Sequence, residues 1–371
     1  MAPGFKSPHL RSKQDCYFVI NSNPVAIIRN FFISIQTRLN AVKYFDDYKR
    51  YVQERVGDRV PVIKAKDSGT LSFTPYISNP CSARCQFCSE KLSTAGAKAA
   101  ALNVCDHYCD KLVKALLFQK DCPIFLSISG MEPSESPDQL TLVKEAVALA
   151  MQQGCRIISK VTYSNLSGFT KYWDELTNVI KELHLTRIEC SRHHFDEDVN
   201  QSIVRFRDGE KIRSNAEFRR IVQSLLPIVP MTMACVMQKN GIATASDVIS
   251  HLEFAREIGI RRVVFRELSV FSDDADNVTV ASYITDHRVE LMDVLESLPS
   301  DAFELLSVTE GYYYYSFEYR YKDMTVLLEM SDYNQMKKVH YNDTLHKLIF
   351  YSNGDLCRDW NMKGKLSYDE S

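Results

Sequence analysis

From Thr70 onward the chain alternates short β-rich runs with longer stretches whose apolar residues recur at helical spacing, and this rhythm limits the fold more than any other feature. The predicted strands are Leu71–Ile77, Ile124–Ser129, Arg156–Tyr163, Arg187–Cys190, Pro230–Met237 and Arg262–Leu268. Helical patterns run through Ala97–Leu116, Leu140–Gln152, Tyr172–Leu183, Ala216–Leu225, Val248–Ile258 and Val289–Leu298. Six such repeats predict an α/β fold built on a parallel sheet, either an incomplete (βα)6 barrel or a doubly wound sheet. Both architectures place their chemistry at the carboxyl ends of the strands.

The flanking regions read differently. Residues 1–68 combine a polar start, an apolar segment and an amphipathic helix around Leu39–Val56, which together suggest a capping segment. Residues 69–300 carry the repeats. In 301–371, antiparallel strands are expected at Tyr312–Arg320 and Met324–Met330, and Lys347–Tyr351 runs into a turn marked by Asn353-Gly354. A small β-rich C-terminal extension follows from this pattern.

The apolar stretch Cys16–Ile35 is broken by Asn21, Asn23, Pro24, Arg29 and Asn30, so it is too polar to span a bilayer. It also lacks the unbroken apolar core of a signal peptide, and a cytoplasmic protein without membrane partners is expected. Lysine plus arginine (45) nearly balances aspartate plus glutamate (47), which implies no broad basic face for a nucleic acid.

Eleven cysteines in a chain of 371 residues without an export signal point to reduced thiols or metal ligands rather than a disulfide scaffold. Cys81, Cys85 and Cys88 are crowded into a segment that follows the first predicted strand and precedes the first long helix. Three thiolates on such a strand-end loop can ligate three irons of a cubane [4Fe–4S] cluster and leave the fourth iron open. A structural zinc site, with Cys105 and Cys109 as further ligands, and unrelated buried cysteines are the alternatives.

The string CxxxCxxC, with the aromatic Phe87 before its last cysteine, resembles the signature of the radical S-adenosylmethionine (SAM) superfamily. Ser129-Gly130-Met131-Glu132-Pro133, at the end of the second strand, is similar to the family's Ser-Gly-Gly-Glu-Pro element, with Met131 in place of the second glycine. A glycine there adopts positive φ readily and a methionine seldom does. Thr162-Tyr163-Ser164-Asn165 and Ser191-Arg192-His193-His194 stand where the family carries polar residues near the cofactor. Val263–Leu268 resembles the sixth strand of the branch containing the molybdenum-cofactor GTP cyclase.

The resemblance covers about residues 70–270 and implies a partial (βα)6 TIM-like barrel. It further implies a [4Fe–4S] cluster on Cys81, Cys85 and Cys88, and SAM contacted by Phe87, Gly130, Glu132, Ser164, Ser191 and Arg192. In the family, SAM chelates the open iron, and an electron passed through the cluster yields methionine and a 5′-deoxyadenosyl radical. An external one-electron reductant such as flavodoxin or ferredoxin is implied as a partner.

Other residues invite chemistry without demanding it. His193 and His194 are adjacent at a strand end, so their side chains are expected to point apart rather than to share a metal. The long connection from His193 to Arg213 suits either a substrate wall or a solvated charged helix. Met231, Met233, Cys235 and Met237 share one face at period two; if that face lines the barrel, Cys235 can donate a hydrogen atom to a substrate radical. Cys190 and Cys357 are candidates for the same role, and small apolar filling is the alternative for all three. The tail carries only Cys357, which argues against auxiliary clusters.

The reading is therefore a radical SAM enzyme acting on a small polar metabolite such as a nucleoside, nucleotide, sugar or amino-acid derivative. Epimerisation, elimination, cyclisation and dehydrogenation all begin with the same hydrogen abstraction. A peptide substrate is the rival within the class. A non-catalytic zinc or electron-transfer protein is the rival outside it.

Overall fold

The computed structural model describes residues 44–65, 69–78, 81–91, 103–269, 278–340, 345–358, 360, 362 and 364–368. Its strands are β1 (Val62–Lys64), β2 (Leu71–Ile77), β3 (Ile124–Gly130), β4 (Ile157–Ser164), β5 (Arg187–Ser191), β6 (Met231–Met237), β7 (Arg262–Glu267), β8 (Phe303–Glu310), β9 (Tyr314–Tyr321), β10 (Met324–Ser331), β11 (Lys347–Phe350), β12 (Leu356–Cys357) and β13 (Lys365–Leu366). They form one sheet in the order β1-β8-β9-β10-β7-β6-β5-β4-β3-β2-β11-β12-β13.

Strands β2 to β7 are neighbours in chain order and pair in parallel throughout. Right-handed crossovers that always step the same way put the connecting helices on one face, and the sheet curls away from them. This is the partial (βα)6 TIM-like barrel. The predicted strands match within one or two residues at each end. Helical periodicity was equally informative where the apolar stripe was strong. In Trp173–Leu183, for instance, Leu176, Val179, Ile180 and Leu183 are buried, Asp174 and Glu175 lie in the first turn, and Lys181 lies in the last.

Three expectations change. The first long helix begins at Tyr108, not at Ala97, and the predicted stretch 97–102 lies outside the described residues. Cys105 therefore precedes the helix, with its N–H on the Ser352 carbonyl at 2.9 Å, and does not share a helix with Cys109. The C-terminal strands of the expected β-rich extension continue the barrel sheet. β10 pairs in parallel with β7 through Val326↔Val263 and Leu328↔Phe265, and β11 pairs in parallel with β2. Strand β8, which the sequence pattern did not suggest, forms because β9 offers it a full antiparallel partner.

The register fixes which side chains face the helices. Ile188, Cys190, Met231, Met233, Cys235, Met237, Val263 and Phe265 join one apolar core with helix residues such as Ile221, Leu225, Val248 and Leu252. Their alternates, Tyr163, Glu189, Thr232, Val236 and Arg266, therefore line the curled inner face. The helix at 44–51 closes one side of the barrel, with Tyr48 stacked on Tyr315 at a centroid distance of 6.3 Å. Tyr44 and Tyr48 both donate to the buried Glu267 carboxylate at the end of β7, which also pairs with Arg288 at 2.6 Å. Among the described residues no helix is long and apolar enough to cross a membrane.

Candidate functional site

The CxxxCxxC segment follows the carboxyl end of β2 and is fastened largely through its backbone. The N–H of Arg84 donates to the Val204 carbonyl at 3.0 Å, and that of Gln86 to Ile203 at 3.4 Å. Arg207 returns the tie, N–H to Ser82 carbonyl at 3.1 Å and guanidinium to Cys81 carbonyl at 3.2 Å. The carbonyls come from the end of the helix Glu197–Val204, where Arg205 turns left-handed at φ 54° and frees them. The long connection after β5 thus serves as the bed of the cysteine loop, a third use beside the wall and the solvated helix.

Cys81, Cys85 and Cys88 are half-buried and lie in one electrostatic neighbourhood. Burial pushes the Cys85 thiol up to about 12, with Cys88 the next cause; burial and then the Glu132 carboxylate push Cys81 upward. The Cys81 sulfur accepts from the Ala83 N–H and from the Asn165 amide, each at 3.3 Å. Among the described residues no three His, Cys, Asp or Glu side chains converge on a point that would hold a single metal ion.

Glu132 stands at the end of β3, 3% exposed and ringed by donors. Oε1 accepts from the Ser134 N–H at 3.0 Å, the Ser134 hydroxyl at 2.7 Å and the Ser164 hydroxyl at 2.5 Å; Oε2 accepts from the Asn165 N–H at 2.7 Å. Burial raises its pKa and these hydrogen bonds oppose the rise. Ser164 in turn accepts from the Leu166 N–H at 2.9 Å, so the carboxylate is held from two strand ends at once.

The backbone requirement in this element falls on Gly130, not on Met131. Gly130 has φ +131°, and a Cβ there would meet the Ile77 carbonyl oxygen at 2.4 Å. Met131 is absent from the positive-φ residues, and its side chain packs on the cluster of Tyr76, Ile349, Tyr351 and Cys357. The methionine substitution therefore leaves Glu132 in place. A second close approach escaped the sequence reading: a Cβ on Gly168 would lie 1.7 Å from the Ser134 carbonyl oxygen. Only glycine lets the turn Ser167–Thr170 rest on Pro133–Glu135, with the Gly168 N–H on the Ser134 hydroxyl at 2.9 Å.

The remaining candidates separate by face. Phe87 meets His193 edge-to-face at 4.9 Å and, like the inward-facing Val236, packs against the cluster of Leu268, Val280 and Ile284. Ser191 lies two residues beyond Glu189 on the same strand and so shares its inward face. Arg192 does not reach the barrel mouth. Its guanidinium donates to the carbonyls of Ile212 (3.3 Å) and Arg213 (3.2 Å) and to Asn215, and lies 5.0 Å from the Phe218 ring. Arg192 is a strut beneath the long connection, where burial lowers its pKa to about 10.

Cys190 and Cys235 face the helices. The condition attached to Cys235, that its face line the barrel, is not met, and its sulfur donates to the His193 carbonyl at 3.4 Å. Period two identifies a face but not which face is inner when both are buried. Cys357 pairs with Ile349 and belongs to the inner cluster with Tyr76 and Tyr351. On the inner face Arg266 is held by Glu189 and by Glu329 (2.9 Å), its side chain 36% exposed.

His193 and His194 part as expected. His193 Nδ1 accepts from the Val236 N–H at 2.9 Å, whereas His194 stacks on Phe195 at 4.2 Å. Burial, then the charges of Arg192 and Arg266, push His193 down to about 3; burial does the same to His251, which lies against Phe265. Both pKa values lie below the ordinary 6.5, so the unfolded chain binds protons that the fold refuses. The stability these two histidines contribute is fully present above about pH 6.5 and is lost as pH falls toward 3, each with a slope approaching about 1.4 kcal/mol per pH unit. Glu267, raised by burial to about 7, works the other way between about pH 7 and 4.5. His251→Leu is expected to raise Tm at about pH 5 relative to about pH 7 compared with the wild type, read by thermal melts at both pH values; an unchanged difference would contradict this contribution.

No family model matches the sequence, and no curated protein matches it. Among solved structures the chain is similar to Streptococcus suis SuiB bound to precursor peptide SuiA, with 14% identity, 98% of this chain and 72% of that one covered, and a TM-score of 0.44. Native anSMEcpe with bound AdoMet and Cp18Cys peptide matches at 14% identity over 53% of this chain and 50% of that one, with a TM-score of 0.39. TYW1 with a lysine-pyruvate adduct bound matches at 13% identity over 64% of this chain and 76% of that one, again at 0.39. The chain thus spans half the length of anSMEcpe.

Proposed function

We propose that this chain is a radical SAM enzyme. The observation that carries the reading is the continuous path Glu132–Asn165–Cys81, which sets a buried carboxylate beside the first sulfur of the CxxxCxxC motif. The residues fit the implied cofactors. Cys85 helps raise the Cys81 thiol and Cys88 helps raise the Cys85 thiol, so a cationic centre among them would favour their thiolates.

Cys81, Cys85 and Cys88 would hold three irons of a [4Fe–4S] cluster. Glu132 would receive the ammonium group of SAM, Gly130 keeping the backbone open and Ser164 orienting the carboxylate; Phe87 and Ser191 would border the ligand. Bound together, cluster and SAM supply an electron-driven cleavage of SAM to methionine and a 5′-deoxyadenosyl radical. The protein's share is to position the substrate C–H bond and to exclude water. Flavodoxin or ferredoxin would deliver the electron.

A small polar metabolite is the substrate class that the inner face supports. Arg266, aligned by Glu189 and Glu329 and partly exposed inside the barrel, offers directed hydrogen bonds that an apolar ligand would waste. Of the thiols first considered as hydrogen donors, Cys357 is the one on this face.

Anaerobic reconstitution tests the reading. About four irons per chain, and 5′-deoxyadenosine formed from SAM with a reductant, are expected. Stoichiometric zinc with no SAM cleavage would overturn it. Glu132→Gln offers a finer test. An amide nitrogen cannot accept from the hydroxyl and N–H donors that surround it, so the variant should lose about 1–3 kcal/mol of stability and weaken SAM binding tenfold or more. Wild-type SAM affinity in that variant would remove Glu132 from the site.

A further inference from the structure

We propose that Asn165 is a positioning residue that sets the reduction potential of the cluster, by donating its side-chain N–H to the Cys81 sulfur. The inference rests on the reading above, in which that sulfur ligates iron.

The orientation of the amide is fixed by chemistry. Asn165 is 8% exposed, and its Oδ1 accepts from the Ser167 N–H at 2.8 Å. A backbone N–H can only donate, so the amide oxygen belongs there and the NH2 end must face Cys81, where Nδ2 stands 3.3 Å from sulfur. The main-chain N–H of the same residue holds Glu132 Oε2 at 2.7 Å. Leu166, left-handed at φ 65°, and the Ser164 hydroxyl on its N–H fix the turn that presents both groups. One residue thus touches the carboxylate proposed for SAM and a sulfur proposed for iron.

An N–H···S bond withdraws electron density from the sulfur and favours the reduced cluster, in which that sulfur is richer in electrons. Removing the bond should therefore make the potential more negative. The Ala83 N–H supplies a second bond to Cys81 from the loop itself, one that no side-chain substitution removes. The bond from Asn165 is the adjustable one.

The test is a potentiometric titration, followed by electron paramagnetic resonance, of the full chain reconstituted anaerobically and free of SAM. Asn165→Ala removes both the donor and the turn acceptor. Asn165→Ser can still accept from the Ser167 N–H but is too short to reach Cys81. Asn165→Asp keeps the acceptor, loses the donor and adds a negative charge. The expected result is a tenfold lower ratio of reduced to oxidised cluster at fixed poise in both Ala and Ser variants, about 59 mV for one electron, and a larger fall in Asp. A purely structural role predicts that Ala alone loses thermal stability while the Ser potential stays at the wild-type value. That outcome would overturn the proposal, as would a shift confined to Asp, which would report charge alone. A wild-type chain that assembles no cluster overturns the enzymatic reading itself. An assembled cluster with an unmoved potential overturns only this inference.

Discussion

Cys85→Ala is expected to yield a folded protein with neither cluster nor SAM cleavage. The loop that carries Cys85 is tied down through the main-chain groups of Arg84, Gln86 and Cys88, and through Arg207 to Ser82 and Cys81. None of these contacts uses the Cys85 sulfur, so losing it should cost about 1 kcal/mol of stability or less. Iron binding has no such reserve. The second cysteine of the motif supplies one of three thiolates, and two cannot hold three irons of a cubane. Iron analysis, 5′-deoxyadenosine formation and a thermal melt on one preparation separate the outcomes. Full SAM cleavage by the variant would be incompatible with the proposed cluster.

Gly168→Ala is expected to do the reverse and damage the fold around the site. The added Cβ would lie 1.7 Å from the Ser134 carbonyl oxygen, 2.1 Å from its carbon and 2.9 Å from the Glu135 nitrogen. All three are backbone atoms of the turn that follows Glu132, so no side chain can swing aside. Either the turn Ser167–Thr170 or Pro133–Glu135 must move, and with it the Ser134 and Ser164 hydroxyls on Glu132. A loss on the order of 4 kcal/mol is expected, read as a large drop in Tm or as insoluble protein. A variant with wild-type Tm would show that this contact is looser than the structure draws it.

How much of this was legible in the sequence follows from the physics of each signal. The six barrel strands declared themselves because each is a compact apolar run between turn residues, and their ends fell close to the predicted ones. The cysteine loop and Glu132 stood out only through their resemblance to a family pattern, and the structure joins them through Asn165. Arg192 misled because a cation at a strand end looks like an anion receptor; only the packed chain shows it spent on Ile212, Arg213 and Asn215. Cys235 misled for a different reason. Alternation along β6 names two faces, and the helices decide which is inner.

Gly168 and Asn165 were invisible as site residues. A lone glycine in a polar turn carries no local mark, and its necessity comes from a carbonyl 34 positions away in sequence, that of Ser134. Asn165 was one letter in a polar string until Ser167 fixed its amide and Cys81 appeared at the other end. The join between β10 and β7 was hidden as well, since a hairpin reads the same whether it caps a barrel or extends its sheet.

The central claim is that three sulfurs leave one iron for SAM, with Glu132 gripping the same ligand. Electron–nuclear double resonance on the reduced protein, with SAM isotopically labelled at its carboxylate and amino groups, addresses it without reference to turnover. The account predicts hyperfine coupling from both labelled groups in the wild type, diminished in Glu132→Gln and lost with the cluster in Cys85→Ala. A reduced cluster whose spectrum ignores saturating SAM would contradict it.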